Sequence, residues 1–436
     1  MKLFNETLFK IGTTVFKTEP KAPILTLIVK AKLRLVPDRA CEFLPPEEQE
    51  PPLPAEYYED DYGNSLKRDA ETAPFKMRAD CLLIGTCYAP GGHPCRGATA
   101  VFEVGDMRKT LWIYGDRYWI RKSRNGFVAS PPKEFQSIPI RNEFAHGGYA
   151  SSHNRHGHGM FAGDSDDVED GTVPLANIQH HQDTHVTPHE DRMGAGFGPL
   201  DPTMRPRVDF VGTHDDEWLY KRKPLPPRDF SYEHFNAARR DQQVEGYLRG
   251  DEGLCFENLH EKYSRYVSWL PGIRLRCFLM QTSVSDGTRK LELLEAPANL
   301  DTCSVDMEEE TVTLIWRARA PLDATEKEQF THALIAQEWL EYPQEEDVYR
   351  KRFKQLILED AGVTAPPEEP EPPKPDEQVE AENREVSEKM IKIFEQGKAP
   401  QDLIDIVKAN PDPKAALDQL LVYAKEMVEK LPKAPK

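Results

Sequence analysis

The chain has 436 residues, enough for one large domain with a smaller companion or for two domains. Charged residues make up 30% of it and the formal net charge is −18, which argues against nucleic acid as a partner. Hydrophobic residues reach only 39% while prolines number 37, so long loops or a linker are expected, and the longest apolar-rich run, Ile24–Val29, is far short of a membrane span.

The opening MKLFNETLFK lacks an apolar core of signal-peptide length, and cytoplasmic residence without membrane contact is the expectation. Ile24–Leu35 begins apolar and then alternates Val29, Ala31, Leu33 and Leu35 against Lys30, Lys32 and Arg34, the period of a strand with one buried face. Residues 45–63, rich in Pro, Glu and Tyr, read as a surface loop. Strands follow at Ala79–Tyr88, Ala98–Val104 and Thr110–Trp119, the last two forming a hairpin with a Gly-Asp turn signal.

From about 145 to 200 glycine, histidine and aspartate dominate, which predicts a functional loop or a mobile insertion. Asp241–Arg249 reads as a short helix. Strand patterns return at Gly272–Thr282, Leu291–Leu294, Cys303–Met307 and Thr311–Ala318. The sum predicts a mainly β protein: a large antiparallel sandwich or barrel-like core with long loops, over residues 1–345.

A helix is predicted over Glu345–Asp360, in a helical segment bounded at 346–362, with Val348, Phe353, Leu356 and Ile357 on one side and Gly362 as its stop. An acidic, proline-rich linker over 363–378 separates it from a small α-helical C-terminal extension over 379–436. There Val386–Phe394 and Asp402–Ala409 read as helices. A third helix, opened by Asp412-Pro413, carries Leu417, Leu420, Leu421, Ala424, Met427 and Val428 on one stripe.

Seven scattered cysteines suggest neither a disulfide framework nor a CxxC metal set. Eight of the thirteen histidines lie in 146–189, and His181, His185 and His189 have the i, i+4, i+8 spacing of a helical metal face. Thr187-Pro188 interrupts any helix there, so the three are weak candidates, as is the incomplete set Cys87, His93 and Cys95. No GxSxG elbow is present, and Gly194-x-Gly196-x-Gly198 is not followed by the Lys-Ser/Thr of a phosphate loop. In Tyr114–Trp119 (YGDRYW), Arg117 reads as stacked on an aromatic or paired with a remote carboxylate such as Glu143, a structural ion pair that pins the sheet, or as a ligand-facing cation.

Several strings in order carry a family likeness: MKLFNETLF at the start, ILTLIVKAKLRL at 24–35, GDRYW at 115–119 and IPIRNEFAHGG at 138–148. They continue with PLANIQ at 174–179, FGPLDPTMRPR at 197–207, VGTHDDEWLYKRKPLPPRDF at 211–230, FNAARRDQQVEGYLRGDEGLCFENLH at 235–260 and LDTCSVDMEEETVTLIWRA at 300–318. On these strings the chain resembles the type VI secretion adaptor family, which is catalogued as a domain of unknown function. Where that family reads Tyr-Glu-x-Ala-Phe-Gly-Gly, this chain has Asn142 through Gly148, with His146 replacing the aromatic before the glycines.

The resemblance implies an adaptor or chaperone that binds an effector bearing a PAAR-like domain, keeps it soluble and helps load it onto the VgrG spike. It implies neither catalytic residues nor a cofactor. The motif residues it marks are Asp116, Arg117, Trp119, Arg141, Glu143, Gly147, Gly148, Asp251, Glu252, Asn258, Trp316 and Arg317. Two alternatives stay open: a metal-dependent hydrolase using the histidine-rich segment, and a small-molecule or glycan binder using Trp112, Trp119 and Trp218.

Overall fold

A computed structural model describes residues 1–123, 126–161, 171–181, 187–285, 288–323, 329–362, 383–384, 386–392, 401–410, 412, 416–417 and 419–420. They fall into two compact units, Met1–Ile357 and Leu358–Lys436.

The first unit is mainly β, as expected, and sandwich-like, but its described strands form no closed barrel. Three sheets share one core. A seven-stranded sheet is built around Pro23–Arg34, Thr311–Pro321, Ala298–Asp306 and Ala79–Ile84, with Lys10–Lys17 at one end and Gln243–Val244 at the other. A five-stranded sheet contains the hairpin Gly97–Val104 and Met107–Tyr114, followed across the sheet by Gly253–Glu257 and Arg265–Trp269. A four-stranded sheet runs Lys2–Glu6, Phe330–Trp339, Ile273–Ser285, Thr288–Glu295. Two pairings are parallel, Ala298–Asp306 with Ala79–Ile84 and Lys2–Glu6 with Phe330–Trp339, so these sheets are mixed rather than purely antiparallel.

Alternation puts every second side chain into the shared core. Leu25, Leu27, Val29, Ala31 and Leu33 meet Val312, Leu314, Trp316 and Ala318 on one sheet, and Phe102, Leu111 and Phe256 on another. Each such buried large side chain contributes about 1.5–3 kcal/mol relative to exposure. The hairpin turns on Gly105-Asp106, with Val104 opposite Met107 and Gly105 at φ 57°.

The other face of the seven-stranded sheet is also covered. Residues 49–76, read from the sequence as partly a surface loop, lie over it. Thr26 Oγ1 donates to the Pro74 carbonyl at 2.8 Å, and Lys30 Nζ reaches Glu71 at 2.7 Å. Arg317 donates to the carbonyls of Ala73 and Glu71, each at 2.6 Å, and pairs with buried Asp301. Lys30 is therefore buried, not solvent-facing as the alternation suggested.

A helix at Glu346–Asp360 packs on the outer face of the four-stranded sheet, where Tyr349 stacks on Phe278 at 5.7 Å and Phe353 is buried. Val348, expected on this apolar side, is exposed. It lies one residue, about 100°, from the Tyr349/Phe353 stripe. The helix expected over Asp241–Arg249 is instead a 3-10 turn at Arg240–Gln242 followed by the strand Gln243–Val244. Gly246 and Tyr247, both at positive φ, end that strand.

In the second unit, residues 386–392 are helical, and the Gln401–Ala409 helix buries Ile404 and Val407. Leu417 is exposed. The linker over 363–378 and Leu421, Ala424, Met427 and Val428 of the predicted last stripe lie outside the described residues. Among the described residues no helix is long and apolar enough to cross a membrane.

Candidate functional site

The IPIRNEFAHGG string forms the centre of a network that ties distant loops together. After the strand Ser137–Pro139 the chain turns through a 3-10 segment at Asn142–Phe144, which brings the side chains of Arg141 and Glu143 alongside each other. Arg141 Nη2 lies 3.1 Å from Glu143 Oε1, and its Nη1 lies 2.6 Å from Asp60 Oδ2. The guanidinium carbon sits 3.6 Å from the centroid of Tyr58, a stacked cation–π contact.

Glu143 also accepts from the Ser65 amide at 2.8 Å and the Ser65 hydroxyl at 2.7 Å. Burial opposes its ionisation, but the hydrogen bonds from Arg141 and Ser65 outweigh that and hold the carboxyl below its usual range. Gly63, at φ 149°, lies so close that a Cβ there would fall 2.8 Å from the Glu143 side chain.

Arg117 is placed elsewhere. It stacks 3.9 Å over Tyr114 and donates from Nη2 to the Ala176 carbonyl at 2.8 Å. The partner expected for it, Glu143, is taken by Arg141 and Ser65. Burial lowers the Arg117 guanidinium to about 10. Asp116 accepts from Asn177 at 3.3 Å, and Trp119 is 2% exposed, with its indole N–H donating to the Gly159 carbonyl at 2.9 Å.

In the described parts of 145–200, the glycines allow backbone to touch backbone. A Cβ on Gly147 would lie 2.1 Å from the Asn154 carbonyl oxygen, and one on Gly148 would lie 3.0 Å from that of Met160. His146 is buried and its Nε2 donates to the Glu190 carbonyl at 2.8 Å. Asn154 donates to the carbonyls of Asn142 and His146 at 2.7 and 3.1 Å.

The Gly194-x-Gly196-x-Gly198 run cradles a cation rather than a phosphate. Buried Arg239 donates to the carbonyls of Gly194 and Gly198 at 2.8 and 2.9 Å and to Asn142 Oδ1 at 3.1 Å. Sequence reading missed Arg239; its nearest signal was the glycine spacing itself. A second missed group, Lys109, is buried and bonded to Asp241 at 2.8 Å and Gln242 at 2.9 Å. Burial, aided by nearby Arg239 and opposed by Asp241, lowers its ammonium to about 7.

The remaining motif residues are dispersed through the first unit. Buried Trp316 stacks on Phe9 at 6.0 Å, and Arg317 joins the polar layer described above. Glu252 accepts from the amides of Arg249 and Gly250 at 2.5 and 2.9 Å, while Asp251 pairs with exposed Arg249 at 3.1 Å. Asn258, at φ 55°, donates to the Thr99 carbonyl at 2.8 Å.

The histidine triad is not assembled among the described residues. His181 is exposed beside His180, His189 donates to the Phe161 carbonyl at 3.0 Å, and His185 lies outside the description. No group of three or more potential metal ligands is found among the described residues, and Cys87 and Cys95 are free thiols.

What the motifs can do chemically is hold loops: each charged member is bonded to backbone carbonyls, amides or an opposite charge. Neither a curated protein nor a solved structure matches this chain. A model for a family of uncharacterised proteins conserved in bacteria, DUF2169, matches residues 21–317, which is well over half the chain, and the protein belongs to that family.

Proposed function

We propose that this protein is a non-enzymatic, cytoplasmic adaptor or chaperone. It binds a type VI secretion effector bearing a PAAR-like domain, keeps it soluble, and aids its loading onto the VgrG spike. One observation carries the reading: the motif charges Arg117, Arg141, Glu143 and Arg317 are buried as loop clamps while large aromatic side chains point out. Tyr149, Tyr220 and Tyr342 are 84%, 80% and 73% exposed, and Trp112, Trp269 and Trp339 are each more than two-fifths exposed. Tyrosine and tryptophan are the side chains that anchor protein interfaces, because they bring a large apolar area with little rotamer entropy to lose. The ordered strings quoted above supply the identity of the cargo class, and the net charge of −18 suits a holder that must stay dissolved.

The test is affinity purification of the protein from its native host, with mass spectrometry of co-purifying chains. Recovery of an effector with a spike-tip domain is the expected result. A protein that emerges alone, carrying stoichiometric metal, would overturn the reading in favour of chemistry at the histidine-rich segment.

A further inference from the structure

The strand Lys10–Lys17 ends the seven-stranded sheet and pairs only with Pro23–Arg34. Among the described residues, no backbone hydrogen bond reaches its outer edge. It is eight residues long, and its two faces are treated differently. On the face away from the core, Phe16 packs among Phe230, Tyr232 and Phe235 at 5.6–5.9 Å, and Gly12 lies against Pro52.

On the core side the covering runs out. Ile11, Thr13 and Val15 stand opposite Val29, Leu27 and Leu25 and share their face. Ile11 still packs against the core, but Thr13 is exposed and Val15 is 52% exposed. The strand thus offers an open ladder edge together with a bare apolar strip.

Its charge is one-sided. Lys10, Lys17 and Lys21 make no salt bridge among the described residues. Lys17 also lines a cleft with Lys221 and Lys223, which the carboxylates of Glu19, Asp215, Glu217 and Asp229 share. The strand itself carries no acidic side chain, on a chain of net charge −18.

Pairing with a second copy would set Lys10 against Lys17 in the antiparallel sense, or like against like in the parallel one, and both repel. We infer that Lys10–Lys17 is a strand-addition site for an extended segment of a protein partner with an apolar centre and acidic residues at both ends. Its main-chain groups complete the ladder, its central apolar side chains cover Val15, and its terminal carboxylates meet Lys10 and Lys17 at the two ends of the strand. This inference rests on the protein-binding reading above and gives it a surface.

The test uses the full-length chain and a labelled synthetic decapeptide with a valine–threonine centre and glutamates at both ends, beside its counterpart with lysines at both ends. The expected result is anisotropy-detected binding at least tenfold tighter for the glutamate peptide, with slowed deuterium uptake over residues 10–17. Lys10→Glu/Lys17→Glu should reverse the preference; if that variant misfolds, Lys17→Glu/Lys21→Glu serves, since both side chains are exposed.

No binding, equal binding of both peptides, or protection away from residues 10–17 would overturn the inference. A concentration-dependent dimer by light scattering with the same protection would assign the edge to a second copy and overturn it too. In the native-host purification, cargo retained by the charge-reversed chain sinks the edge but leaves the adaptor reading standing. Wild-type chain without cargo, yet with specific peptide binding, sinks the adaptor reading alone.

Discussion

Arg141 and Glu143, two residues apart, close a buried ion pair whose outer contacts fall on the chain some eighty positions earlier. Asp60 and Tyr58 hold the guanidinium and Ser65 holds the carboxylate, so the pair fastens a long N-terminal excursion to the middle of the fold. Removing one partner strands the other charge. Glu143→Ala or Arg141→Ala should therefore cost about 3 kcal/mol or more in urea unfolding. Arg117→Ala should cost less, because among the described residues Arg117 is held by a carbonyl and an aromatic ring rather than by a carboxylate.

The same pair makes a pH prediction. Glu143 titrates below its usual value in the folded state, so its stabilisation is full above the unfolded carboxyl range and is lost as pH falls through the lower folded value. Comparing urea midpoints of wild type and Glu143→Gln from pH 6 down to pH 3 should show the two converging with acid. A constant gap would contradict the assigned shift.

Lys109 gives a slope of the same sign in a higher pH range. Its folded value of about 7 lies below the ordinary lysine value of 10.5, so between these the unfolded chain binds the extra proton and stability rises with pH. The slope from this one group approaches 1.4 kcal/mol per pH unit. Lys109→Met should flatten the rise in stability between pH 7 and 9.5. An unchanged pH profile would show that Lys109 titrates normally.

Two glycines from the same segment should behave differently. Gly147→Ala drives a methyl into the Asn154 carbonyl and should cost about 3 kcal/mol or more, whereas Gly198→Ala meets nothing within 4 Å and should be close to neutral. Thermal melting of the two variants side by side checks this.

The C-terminal boundary is testable as well. A chain ending after Ala361 keeps the Glu346–Asp360 helix and its Tyr349 and Phe353 contacts, and should melt cooperatively. Phe353→Ala in either background should cost about 3–5 kcal/mol. A truncated chain that fails to fold would show that the second unit completes the first.

Legibility tracked how cleanly burial imprinted a period. The alternating half of Pro23–Arg34 and the Gly105-Asp106 turn could be read directly, since one face is core and turn geometry demands particular residues. Phe330–Trp339 could not. Ala333 and Ile335 enter the main core while Leu334 and Ala336 meet the helix, so both faces are apolar and the alternation vanishes. Lys10–Lys17 hid for the opposite reason, having too little covered surface to leave a pattern.

At the site, the charged and glycine-rich strings were visible, but pairing was not. The sequence offers Glu143 as one remote partner for Arg117, whereas a 3-10 turn sets it beside Arg141. Arg239 stands more than forty positions from the glycines that enclose it, a distance that local patterns do not bridge.

The polar layer over the seven-stranded sheet bears on how this protein fails. Peeling residues 49–76 away would leave Lys30 without Glu71 and Arg317 without the carbonyls of Glu71 and Ala73. Such an opening has no cheap halfway state. Peptide bonds in that stretch should therefore resist a protease until the whole first unit gives way, and its nicking rate then becomes a clock for global unfolding rather than a gauge of local fraying.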